Sequence, residues 1–174
     1  MIKEFRGKYP VPSEGVHIAA SADLVGDIVL AEGVNVWYGA VLRADEAPVS
    51  VGRGTNVQDG VVIHTAPDYP VSIGADVTVG HRSIIHGCTV GDGALIGMGA
   101  ILLNGCIIGE GSIVAAGSVV TEGAVVPPKS LAMGIPARVV RPLREEEMAA
   151  SLAGAAEYVR LSAEQLPPAA EVLS

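Results

Sequence analysis

Residues 90–126 read VGDGALIGMGAILLNGCIIGEGSIVAAGSVVTEGAVV, with a branched aliphatic at every sixth place: Val90, Ile96, Leu102, Ile108, Val114, Val120 and Val126. Working back toward the N-terminus, the same beat passes through Ile85, Val79 and Ile73, then Ile63, Val57 and Val51, then Leu42, Val36, Leu30, Leu24 and Ile18. All eighteen positions are Ile, Leu or Val. Glycine often follows, at Gly52, Gly74, Gly80, Gly91, Gly97 and Gly109. A six-residue beat suits neither a helix nor a long strand. It fits a short strand with one side chain pointing inward, followed by a corner. Three such sides close a triangular coil, and coils stacked at about 4.8 Å bury a core that no single coil could bury alone. Eighteen sides predict six coils, a prism of about 29 Å by that spacing.

Composition agrees. Of 174 residues, 49% are apolar but only 3% aromatic, and 22 are glycine. Mean hydropathy is +0.45. That excludes a disordered chain, and so many glycines argue against a helical bundle. The net charge of −8 argues against nucleic acid or an anionic membrane as partner. Cys88 and Cys106 are too few for a disulfide framework and read as small core residues in a reducing compartment. There is no signal-peptide pattern and no long apolar run. Cytoplasmic location is the expectation.

The beat slips three times. Nine residues separate Leu42 from Val51, ten separate Ile63 from Ile73, and five separate Ile85 from Val90. These slips predict bulges over 44–48 and 66–70 and a tightened corner at 87–89. After Pro127-Pro128, residues 129–140 read as an extended return. Pro142 suits the first helical position, with Glu145, Glu146 and Glu147 in the first turn. Leu143, Leu152, Ala156 and Val159 give one apolar stripe over 143–165. The expected division is a solenoid over 1–140, a helix over 141–166 lying along it, and a loose tail over 167–174.

Coil arithmetic places the histidines. His64 follows Ile63 and His86 follows Ile85, so the two occupy the same outward position on adjacent coils, close enough to share one metal. His81 lies two past Val79, at a corner facing away from the pair. It can complete their site only from a neighbouring subunit, which predicts a metal at an interface of a closed cyclic assembly. Three neutral imidazoles leave positions open for water, as in catalytic zinc sites, and equally suit iron or cobalt. Arg43 stacks beside His64, while Asp45, Glu46, Gln58 and Asp59 lie near. His17 has no such partner.

These strings carry a resemblance. Arg43-Ala44-Asp45-Glu46, Thr55-Asn56-Val57-Gln58-Asp59-Gly60, His64, His81-x4-His86-Gly87 and Gly97-Met98-Gly99-Ala100 are similar to the γ-class carbonic anhydrases, over about residues 8–160. The hexapeptide beat itself resembles the left-handed parallel β-helix, which supplies the handedness. The resemblance implies a homotrimer with zinc at each interface, held by His64 and His86 of one subunit and His81 of the next. It implies reversible hydration of carbon dioxide to bicarbonate by metal-bound hydroxide. Gln58 would orient that hydroxide. Arg43, Asp45 and Asp59 would form interface pairs, Glu46 would take part in proton transfer, and Tyr158 would sit over the site. Long members carry an acidic loop between the first two ligands; here 65–71 is short, with Asp68 its only acidic residue. Two other readings are a catalytically silent metal-binding trimer and a hexapeptide acyltransferase.

Overall fold

The computed structural model describes residues 1–173, and the chain folds as a left-handed parallel β-helix with a C-terminal helix. The eighteen aliphatics fall into three columns of six, one for each face of the prism. The first face stacks Ile18, Val36, Val57, Val79, Ile96 and Val114. The second stacks Leu24, Leu42, Ile63, Ile85, Leu102 and Val120. The third stacks Leu30, Val51, Ile73, Val90, Ile108 and Val126. Every one of them is buried.

Each column gains one more member, so the prism has about seven turns rather than six. Ile2 stacks on Leu24, Pro12 on Leu30 and Ala132 on Val114. The beat misses these because Ile2 and Pro12 lie ten residues apart and Ala132 is not branched.

The slips are where the chain departs from the prism. Strands Asp23–Leu30 and Val41–Val51 bend round the corner between the second and third faces. Gly26 lies opposite Ala44 and Ile28 opposite Val49, so residues 45–48 bulge out between them. Ala66 and Tyr69 bridge to close a tight turn, with Asp68 at φ 66°.

The frequent glycine after the aliphatic has a steric cause. At Gly52 a Cβ would lie 2.5 Å from the Gly74 carbonyl carbon and 2.6 Å from the Ala75 nitrogen, both backbone of the next coil. Neither atom can yield without spreading the coils. Gly52→Ala should therefore cost roughly 1–3 kcal/mol, the range for forced overpacking, and more if the ladder parts. Urea unfolding of the variant against wild type measures it. An unchanged midpoint would mean that the coils have slack.

Residues 130–142 form an antiparallel hairpin, Ser130–Gly134 with Ala137–Pro142. The helix spans Glu145–Gln165, starting later than Pro142. Pro142 stays in the strand opposite Ser130, because Glu147 caps the backbone N–H of Arg144 at 2.9 Å and takes both guanidinium nitrogens of Arg141. Those hydrogen bonds hold the Glu147 carboxyl well below the usual carboxylate range.

The helix lies on the first face, against Asn35–Val36, Asn56–Val57 and Thr78–Val79. Its buried stripe is Ser151, Ala155 and Ser162, not the expected one through Leu152 and Ala156, both exposed. Small residues let the helix sit close to the backbone. The segment after Pro167, expected to be loose, is seated. Ala169–Val172 makes a helical turn, and buried Ala169 donates its N–H to the Val16 carbonyl at 2.8 Å. Among the described residues, no helix is long and apolar enough to cross a membrane.

Candidate metal centre

Strands Val62–His64 and Ile84–His86 run parallel, with His64 opposite His86 and Arg43 opposite His64. Ile63 and Ile85 point into the core, so both imidazoles point out. His64 Nδ1 and His86 Nε2 face each other at 3.0 Å. The outer nitrogen of each ring is engaged. His64 Nε2 lies 3.1 Å from Asp45 Oδ1, and His86 Nδ1 lies 2.6 Å from Asn104 Oδ1.

Burial disfavours a charged Asp45, but hydrogen bonds from Arg43 and His64 outweigh it and hold the carboxyl below its ordinary range. An ionised carboxylate only accepts, so His64 Nε2 donates. The Asn104 oxygen likewise only accepts, so His86 Nδ1 donates. Two lone pairs are thereby aimed at each other, an arrangement that a cation between them relieves. Two imidazole nitrogens on one tetrahedral zinc lie about 3.3 Å apart at ordinary zinc–nitrogen distances. The pair needs to open by only a few tenths of an ångström, so the donor set fits a metal.

His81 occupies the corner between the first and second faces. Its Nδ1 lies 2.8 Å from Asp59 Oδ2, which leaves Nε2 free. Its backbone N–H donates to Gln58 Oε1 at 3.1 Å. Gln58 Nε2 donates to Asn56 Oδ1 at 3.0 Å, and Asn56 Nδ2 donates to Thr78 Oγ1 at 2.9 Å. The Gln58 amide is thus pinned at both ends. Gln58, His81, Leu95, Met98, Ile113 and Tyr158 line a groove of about 370 Å³ between this corner and the helix. The Tyr158 ring packs edge-on against Trp37 at 5.3 Å. Burial, and then the charge of Asp59, push its phenol pKa up.

The candidate residues therefore separate into two groups. His64, His86, Arg43, Asp45 and Glu46 belong to the second face and its bulge. His81, Gln58, Asp59 and Tyr158 gather at the corner. Among the described residues, no three His, Cys, Asp or Glu side chains of one chain converge to hold a metal.

Gln58, expected to point outward, is only 5% exposed and lies beside His81. Asp59 and Asp45 bind His81 and Arg43 of their own chain. Glu46 is exposed at the bulge, in a groove with Arg6, Lys8 and Asp27.

Sequence reasoning missed Asn56, Asn104 and Trp37. The ladder pairs Ile85 with Leu102, so Asn104 falls one place past the register of His86, at the next corner, where spacing alone does not bring it to the ring. His17 lies in the first-face ladder opposite Asn35. Cys88 and Cys106 are buried free thiols inside the prism; their mutual hydrogen bond and burial push the Cys88 thiol up.

Residues 87–122 match the bacterial transferase hexapeptide (six repeats) family. A probable carbonic anhydrase of Methanocaldococcus jannaschii is 50% identical over 150 residues, covering 86% of this chain and 94% of that one. The mitochondrial gamma carbonic anhydrase 2 of Arabidopsis thaliana is 41% identical over 89% of this chain and 58% of its own length. A solved structure, a hexapeptide transferase family protein from Anaplasma phagocytophilum, superposes with a TM-score of 0.92 at 38% identity, covering 95% of this chain and 98% of that one. Identity of this extent, over nearly whole chains and with the His64, His81 and His86 geometry, places the chain in the γ-class carbonic anhydrase family of hexapeptide-repeat proteins.

Proposed function

We propose that this chain catalyses the reversible hydration of carbon dioxide to bicarbonate at a metal held by His64 and His86 of one subunit and His81 of the next, in a homotrimer. One observation carries the reading. Each of the three imidazoles has one ring nitrogen tied to a side-chain acceptor, Asp45, Asp59 or Asn104, and the other nitrogen left for a ligand. Such partners orient and tune metal-bound histidines.

Zinc is the metal proposed, with iron(II) or cobalt(II) as other fits for three imidazoles. When bound, it would supply a water whose pKa is drawn down toward about 7. The remaining tasks fall to the chain. Gln58, pinned between Asn56 and His81, aims one amide edge at the reacting oxygen. Glu46, exposed on the bulge, passes a proton to buffer. Tyr158 and the apolar groove beside His81 offer carbon dioxide a dry approach. The exposed Val62 and Ile84 beside the pair, and Tyr38 and Met98 on the corner column that carries His81, are the surfaces that two subunits would bury against each other.

The solved relative's name as a hexapeptide transferase suggests group transfer instead, for which the alternative weighed is acyl transfer from coenzyme A. Such chemistry needs one histidine as general base and leaves the in-register pair without a task. The test is metal analysis of the purified protein, followed by stopped-flow carbon dioxide hydration with zinc and, anaerobically, with iron. Stoichiometric metal with hydration well above buffer is expected. Metal without hydration would favour a silent assembly, and acetyl-coenzyme A turnover without metal would favour the transferase.

A further inference from the structure

We infer that Asn104 is a positioning residue that fixes the tautomer of His86 and so keeps the histidine pair from closing on itself. This rests on the reading that His86 is a metal ligand. His86 Nε2 faces His64 Nδ1 at 3.0 Å, a hydrogen-bonding distance. Were His86 to carry its proton on Nε2, it would donate to His64 Nδ1, and both nitrogens would be lost to a metal. The contact of 2.6 Å between His86 Nδ1 and Asn104 Oδ1 prevents this by drawing the proton to Nδ1.

The surroundings are built for that contact. The Asn104 carbonyl is anchored by the Gly123 N–H at 2.9 Å, and the Gly105 N–H bonds the Gly87 carbonyl at 2.7 Å. Gly87, at φ 56°, is the decisive neighbour. A Cβ there would lie 2.5 Å from Asn104 Oδ1 and 2.7 Å from the Tyr69 Cβ, so any side chain at 87 would push the amide away from His86. The other two histidines bond to carboxylates, Asp45 and Asp59. Asn104 gives His86 the same orientation without adding a third negative charge. The bond is therefore about proton position rather than charge.

The intact chain, labelled with ¹⁵N-histidine and stripped of metal, tests this directly. Two-bond ¹H–¹⁵N correlation spectra report which ring nitrogen carries the proton, with the His86 signal identified by its absence in His86→Ala. Wild type should show His86 as Nδ1–H. Asn104→Ala should move it toward Nε2–H and weaken zinc affinity, by chelator competition, about 10- to 100-fold. Asn104→Asp keeps an acceptor and should hold both the tautomer and, within a few-fold, the affinity. A change that merely loosened the fold would not be rescued by the aspartate in this way. An unchanged His86 tautomer in Asn104→Ala overturns the inference, as does unchanged zinc affinity when the tautomer has moved. If wild type binds no zinc although its His86 responds to Asn104→Ala, the metal reading fails while the control of the tautomer stands.

Discussion

Zinc should be lost from His64→Ala and, separately, from His81→Ala, and should return when the two variants are unfolded and refolded together. On the proposed reading each substitution removes one of only three protein ligands, and a catalytic zinc site has none to spare. His64 belongs to the second face and His81 to the corner, so neither can stand in for the other. In a mixed ring, a site is whole when its pair comes from a His81→Ala subunit and its corner from a His64→Ala subunit. Random mixing of equal amounts makes about one site in four of that kind in a closed cyclic assembly. Zinc analysis after refolding should approach that fraction, with carbon dioxide hydration returning in proportion. Recovery near zero, with the mixed assembly shown by mass spectrometry, would mean that the three histidines serve one chain. The converse control is a mixture of His64→Ala with His86→Ala. Both defects then lie in the same half, and mixing should restore nothing.

Much of this was legible in the sequence because a solenoid converts spacing into position. His64 and His86 are 22 residues apart, but the turn at 66–70 absorbs four of them, and the remaining eighteen make one coil. The pair thus stacks as the arithmetic requires. Faces follow from the inward aliphatics alone, so Arg43 beside His64 was equally readable.

Corners were not so readable. There the side-chain direction depends on turn dihedrals and on the neighbouring coil, which no six-residue pattern encodes. Gln58 was expected to point outward because it follows an inward valine, but the corner buries its amide under His81 and against Asn56. Asn104 was hidden for the same reason. The helix start was missed because Pro142 is compatible with either a strand end or a first helical turn. The choice falls to Glu147, whose hydrogen bonds to Arg141 and Arg144 are tertiary facts.

Gln58→Ala should leave trimer and zinc in place while cutting kcat/KM for carbon dioxide hydration by about 10²-fold. The figure is the usual cost of removing one preorganised hydrogen bond to a developing charge, near 2.7 kcal/mol. Gln58 suits such a role because its amide does not need to be ordered during the reaction: Asn56 holds Nε2 and the His81 N–H holds Oε1. That same pinning adds a cost in stability. Removing the side chain leaves the buried Asn56 oxygen without its donor, which typically costs 1–3 kcal/mol. Thermal unfolding must therefore be measured beside the kinetics, so that a partly unfolded sample is not mistaken for a slow enzyme. Gln58→Glu separates the two effects. It keeps an acceptor for the His81 N–H but loses the amide donor, so zinc should be retained while hydration falls. If both variants hold zinc and hydrate carbon dioxide at the wild-type rate, Gln58 supports the corner and nothing more, and the reacting oxygen must be aimed by another group.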